Sequence, residues 1–101
     1  MNWAWTTLPD HALTAEFLEG YLTKPDASIV MNRARAVWPD GFDGVMVRLK
    51  IGVSAYGGCV IWDVEKDGAG LYPFHPAHGF DRHYFPPNLR TDVWQQMRLA
   101  A

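Results

Sequence analysis

The residues best equipped for chemistry lie close together in the last third of the chain. His75, His78, Asp81 and His83 fall within nine residues, and imidazole and carboxylate are competent ligands for zinc or another divalent ion. Their spacing is not that of a helical metal site. Pro76 stands between the first two histidines and removes the helical turn that would align an i, i+3 pair, and no Glu occupies a general-base position like that of the HExxH helix. The stretch therefore reads first as a proline-stiffened loop whose histidines hydrogen-bond locally. A small metal-dependent enzyme built on the His75–His83 loop is an alternative, and no metal or cofactor is expected.

Other candidate chemistry is thinner. Cys59, the single cysteine, would need a neighbouring His or a helix N-terminus to lower its pKa before it could act as a nucleophile, and no pattern supplies one. It reads as a small buried hydrophobe. Asp63, Glu65 and Asp67 are two residues apart and suit a strand end running into a polar turn. Gly57-Gly58 and Gly68-x-Gly70 do not stand between a strand and a following helix, so they are turn residues and not phosphate cradles.

Two sets of residues suit binding. Phe80, Arg82, His83, Tyr84 and Phe85 lie in a segment, 75–87, that has no core-like periodicity and holds Pro76, Pro86 and Pro87. Aromatic residues and arginine dominate interface energetics, and proline limits the entropy lost when a loop is fixed against a partner. The competing account has these rings plugging the open side of a sheet. Arg48 and Lys50 form the second set. With Arg33 and Arg35 they make a candidate basic face for nucleic acid, next to Tyr56 as a stacking ring.

The element that must position these groups is the stretch 45–64. Val45, Val47, Leu49, Ile51 and Val53 alternate with Met46, Arg48, Lys50, Gly52 and Ser54, which gives a strand with one apolar face and one wet, basic face. Tyr56-Gly57-Gly58 is the expected reversal, and Cys59–Val64 resumes as a second strand with Val60, Trp62 and Val64 on one face. Glu65-Lys66-Asp67-Gly68 reads as another turn, and Leu71–Phe74 as a third strand kept at an edge by Pro73.

Ahead of this meander, Asn2–Thr7 alternates weakly and suits a short edge strand or an arm that packs Trp3 and Trp5 on the core. Leu13, Phe17 and Tyr21, with Leu18 and Leu22, predict a helix over residues 9–23, started by Thr7 and Pro9 and closed by Pro25. A second helix runs to Trp38 from a cap at Asp26 or Ser28, with Ala27, Val30, Ala34, Val37 and Trp38 as its apolar stripe. Thr91 caps a last helix that buries Val93, Trp94, Met97 and Ala100. The predicted fold is α+β: an N-terminal helical hairpin, a three-stranded antiparallel β-meander and a C-terminal helix, with the helices over the face of Val47, Leu49, Ile51 and Trp62.

At 101 residues, about half of them apolar, the chain has the material for one compact domain spanning 1–101 and one modest core. Its 14% aromatic content excludes intrinsic disorder. The net charge of −2 is uneven: residues 1–32 carry −3 and residues 33–50 carry +2. No run is apolar enough to span a membrane and the N-terminus is not a signal peptide. A lone cysteine suits a reducing compartment, so the expected setting is the cytoplasm. With no catalytic set, cofactor cradle or membrane segment, the expected function is a non-enzymatic module that binds another protein or protein complex. By analogy of size, this would be an inhibitor or adaptor of the kind mobile genetic elements such as phages encode against a host complex. A nucleic-acid-binding module using Arg33, Arg35, Arg48 and Lys50 is the first alternative.

Overall fold

The computed structural model describes residues 3–71, 74–75, 79–80 and 88–100. Strand β3 (Met46–Ser54) and strand β4 (Gly57–Lys66) pair antiparallel from Met46 opposite Glu65 to Ser54 opposite Gly57. Strand β5 (Ala69–Leu71) continues the meander on the far side of β4. The other side of β3 is covered by two short strands in succession, β1 (Ala4–Thr7) and β2 (His11–Ala12). Among the described residues the sheet therefore has five strands, in the order β1-β3-β4-β5, with β2 also on β3. Its fold is α+β, with helices on one face of an antiparallel sheet.

The β3–β4 reversal falls at Ala55-Tyr56, earlier than the expected Tyr56-Gly57-Gly58. Ser54 holds it: its Oγ accepts from the Tyr56 N–H (3.2 Å) and donates to the Gly57 carbonyl (3.1 Å). A local hydroxyl bond of this kind favours a turn, and neither Ala55 nor Tyr56 needs a positive φ. Gly57 has open space around it, and Gly58 is instead needed inside its strand, for close approach. A Cβ on Gly58 would stand 2.7 Å from Leu89 and 2.9 Å from Trp94. At the second turn Asp67 (φ 52°) and Gly68 (φ 83°) both adopt the left-handed region, the requirement of a two-residue type I′ hairpin. This turn brings the third strand back at residue 69, two residues before the expected start at Leu71.

Helix α1 is only Ala15–Glu19, not the expected 9–23. The apolar spacing from Leu13 onward is genuine, but residues 8–13 are captured by the open edge of β3. The Leu8 N–H donates to the Leu49 carbonyl (2.9 Å) and the Leu13 N–H to the Val45 carbonyl (3.0 Å). Tertiary pairing thus overrides local helical preference. Thr14, not Thr7, is the cap, accepting from the Phe17 N–H at 3.1 Å. Helix α2 (Lys24–Val37) starts earlier than expected, because Thr23 caps it and Pro25 lies in its first turn, where a missing N–H costs nothing. Pro25 therefore opens a helix, where the sequence reading had it closing one.

The core lies between this pair of helices and the sheet. Leu18, Leu22, Ala27, Val30, Met31 and Ala34 pack with Val45, Val47, Leu49, Ile51, Val60, Trp62 and Val64, all buried. The expected inner face is thus the covered one. Val37, assigned to the stripe of α2, is instead 39% exposed, and Trp38 only flanks the core. Beyond β5, strands β6 (Phe74–His75) and β7 (Gly79–Phe80) pair in a separate two-stranded ribbon, in a stretch that gave no periodic signal.

The chain then returns along the part of β4 that β5 does not reach. Asn88 bridges to Cys59, Leu89 to Leu22, and the Asn88 N–H donates to Asp26 Oδ2 at 2.9 Å. Helix α3 (Thr91–Ala100) is docked by the Arg90 N–H on the Tyr21 carbonyl, the Arg90 guanidinium on the Glu19 carbonyl and Trp94 Nε1 on the Ser54 carbonyl. Among the described residues no helix is long and apolar enough to cross a membrane.

Candidate functional site on the open sheet face

The alternation of β3 decides what the uncovered face carries. With the odd-numbered side chains of 45–53 turned into the core, Met46, Arg48, Lys50 and Gly52 are left on the opposite face, which no helix among the described residues covers. Strand pairing adds a neighbour to each. Trp5 stands beside Gly52 and Cys59 beyond it, Thr7 and Ile61 flank Lys50, and Asp63 and Glu65 follow beside Arg48 and Met46. The result is a row of aromatic and apolar groups at one end and a charged cluster at the other.

At the aromatic end Trp3 and Trp5 stack at 5.9 Å between ring centroids. They are 39% and 43% exposed, so of the two roles expected for this segment it takes that of the edge strand and not that of an arm packed on the core. Trp5 leans inward across β3, because Gly52 leaves room: a Cβ there would lie 2.7 Å from the indole. The Lys50 ammonium sits 5.1 Å from the same ring, a cation–π contact that anchors both side chains.

At the charged end Arg48 is held bidentate by Asp10, Nε to Oδ1 at 2.8 Å and Nη2 to Oδ2 at 3.0 Å. Glu65 lies 3.9 Å from the same guanidinium. The hydrogen bond from Arg48, with its charge, holds the Asp10 carboxyl below the ordinary aspartate range and raises the Arg48 pKa. Asp10, Met46, Arg48, Asp63 and Glu65 enclose a depression too tight to admit a water molecule. Arg48 is therefore a neutralised border to the aromatic row, not a free cation.

The remaining sequence candidates fall as follows. Arg33 and Arg35 ride on α2, which covers the opposite side of the sheet from Arg48 and Lys50, so the four cations do not share a face. Arg33 is half-buried with its pKa lowered by that burial, and Arg35 donates to Asn32 Oδ1 at 2.7 Å. Tyr56 projects at the β3–β4 tip, 82% exposed. Cys59 is a free, half-buried thiol whose pKa is pushed up by burial, against a lowering hydrogen bond from the Gly52 backbone. Phe80 lies in β7, while Arg82, His83, Tyr84 and Phe85 lie outside the described residues, as do His78 and Asp81 of the metal-like stretch. Among the described residues no group of three or more His, Cys, Asp or Glu could hold a metal ion.

Trp3, Trp5, Asp10 and Gly52 are the site residues that sequence reasoning passed over. The available signal was the i, i+2 spacing of the two tryptophans. It places them on one face but does not say which face the helices cover. A second concavity, of about 630 Å³, opens between α1 and α3, where His11 stacks on Phe17 at 4.0 Å beside Tyr21 and Val93. No protein-family model, curated protein or solved structure matches the chain.

Proposed function

We propose that the chain is a non-enzymatic protein-binding module that holds its partner against the helix-free face of the sheet. Trp3, Trp5 and Lys50 are the anchors and Arg48 forms the border. The observation that carries this reading is the stacked, half-exposed indole pair fixed by Lys50. Large aromatic surfaces already held in one rotamer lose little entropy on binding, and they dominate the energetics of protein interfaces. Support for a protein over a nucleic acid comes from the neutralisation of Arg48 by Asp10 and from the division of the four cations between opposite sides of the sheet. The lone Cys59 suits work in a reducing compartment such as the cytoplasm, and the size of the chain suits an inhibitor or adaptor.

The test places a photo-crosslinking amino acid at Trp3 and identifies adducts formed in extract of the source cell. The expected result is one protein adduct, whose yield falls about tenfold in Lys50→Glu, the equivalent of about 1.4 kcal/mol. The thermal midpoint of the variant should stay within a few degrees of the parent. Adducts to nucleic acid, or a protein adduct indifferent to Lys50→Glu, would overturn the reading.

A further inference from the structure

We infer that β1 is an association edge, and that its occupant is β1 of a second copy of this chain, paired antiparallel about a two-fold axis at Trp5. The inference goes beyond the partner face proposed above, because it concerns the backbone edge and not the anchoring side chains. Which backbone groups of β1 have no partner among the described residues follows from two bonds at the same edge of β3. The Leu8 N–H meets the Leu49 carbonyl and the Leu13 N–H meets the Val45 carbonyl, so the odd-numbered residues of β3 direct their amides and carbonyls toward β1 and β2. In an antiparallel ladder this property alternates. Given the register, Ala4 and Thr6 bond inward to Val53 and Ile51, and the amides and carbonyls of Trp3, Trp5 and Thr7 point away from the sheet.

That edge lacks the devices that keep sheet edges apart. No charged side chain occurs in residues 1–9, and β1 contains only Ala, Trp and Thr. The opposite edge is protected: β5 is three residues long, contains Gly70 and follows the charged Lys66-Asp67 turn. Nor do the β1 side chains shield their own backbone, since Trp5 lies inward over Gly52 and Trp3 stacks on Trp5.

A second copy fits because the register is self-complementary. With Trp5 opposite its counterpart, Trp3 of each copy faces Thr7 of the other, so every outward amide and carbonyl of these residues is used. Pro9, which has no N–H to donate, falls beyond the paired stretch. The two outer faces lie on the same side, which sets the indoles in one continuous row across the axis, and no like charges meet. The area sets the strength. At about two-fifths exposure each indole has roughly 100 Å² to contribute, or about 400 Å² for the row, well under the ~1,200 Å² of a stable interface. The dimer is therefore weak and concentration-dependent.

Sedimentation equilibrium on the full chain from ~10 μM to ~1 mM reads it directly, a range chosen for weak association. The expected result is a weight-average mass rising from monomer toward dimer in the parent and in Thr7→Val, and staying at monomer in Thr7→Pro. That proline removes an outward N–H but none of the bonds from β1 to β3. In the parent, amide exchange at Trp5 and Thr7 should slow as concentration rises, which keeps the test open if Thr7→Pro folds poorly. A monomer at every concentration, Trp5 and Thr7 amides that remain unprotected, or a folded Thr7→Pro that associates like the parent would each overturn the inference. Self-association is read by mass and amide exchange, and the partner face by the crosslinked adduct, so failure here and failure of the proposed partner face are distinguishable.

Discussion

Gly52 shows how one missing side chain shapes a surface. On a strand otherwise built from β-branched and long residues, it leaves a gap that the Trp5 indole fills, and that position brings the ring within reach of Lys50. In Gly52→Ala the methyl group would collide with the ring. The atoms it meets are the far end of a half-exposed side chain, which can swing aside. Alanine also costs less backbone entropy than glycine in a strand. The expected outcome is a small stability change, within about 1 kcal/mol, together with displacement of Trp5 and loss of the Lys50 contact. Fluorotryptophan NMR checks this: the Trp5 resonance should move toward its solvent-exposed shift while that of Trp62 stays. If Trp5 does not move, the ring is held by something other than the gap at Gly52.

The β3–β4 hairpin carries the stability at the scale of elements. Leu49 and Trp62 are opposite each other, fully buried, and central to the apolar cluster. Leu49→Ala or Trp62→Ala should each cost about 2–5 kcal/mol, through lost burial and the cavity left behind. Arg48→Ala, on the open face, removes only exposed ion pairs with Asp10 and Glu65 and should leave the stability nearly unchanged. Urea denaturation of the three variants measures the difference. Comparable losses at all three positions would mean that the covered and open faces have been exchanged. The shortened α1 belongs to the same scale. Its apolar spacing was legible, but β3 needed an edge partner at residues 8–13, and pairing with the sheet took that half of the predicted helix.

For the whole molecule, the attachment of the C-terminal segment tests how far folding is cooperative. Asn88 and Leu89 sit between β4 and the α1–α2 junction, and Arg90 reaches back to the carbonyls of Glu19 and Tyr21. Arg90→Ala removes a charged donor from a half-buried carbonyl and the clamp on Asp92, whose carboxyl the Arg90 hydrogen bond holds below its ordinary range. The expected effect is local: about 1–3 kcal/mol less protection of the α3 amides against hydrogen exchange, with the central amides of β3 little changed. Equal loss in α3 and β3 would mean that the segment is part of one cooperative unit with the sheet.

The sequence by itself determined the α+β class, the hairpin, its buried and open faces, and the presence of α2 and α3, because each depends on a short-range period that one strand or helix displays alone. Arg48 and Lys50 were legible as open-face residues for the same reason. Tertiary structure decided the rest. Whether residues 8–13 coil or pair depended on the free edge of β3. Whether Trp3 and Trp5 filled the core or covered the open face depended on the register in which β1 paired with β3 and on the gap at Gly52. Arg48 read as a free cation until Asp10, 38 residues away, was brought within 2.8 Å of it. No local period encodes contacts of that range, since they arise only when the strands assemble and set distant residues side by side.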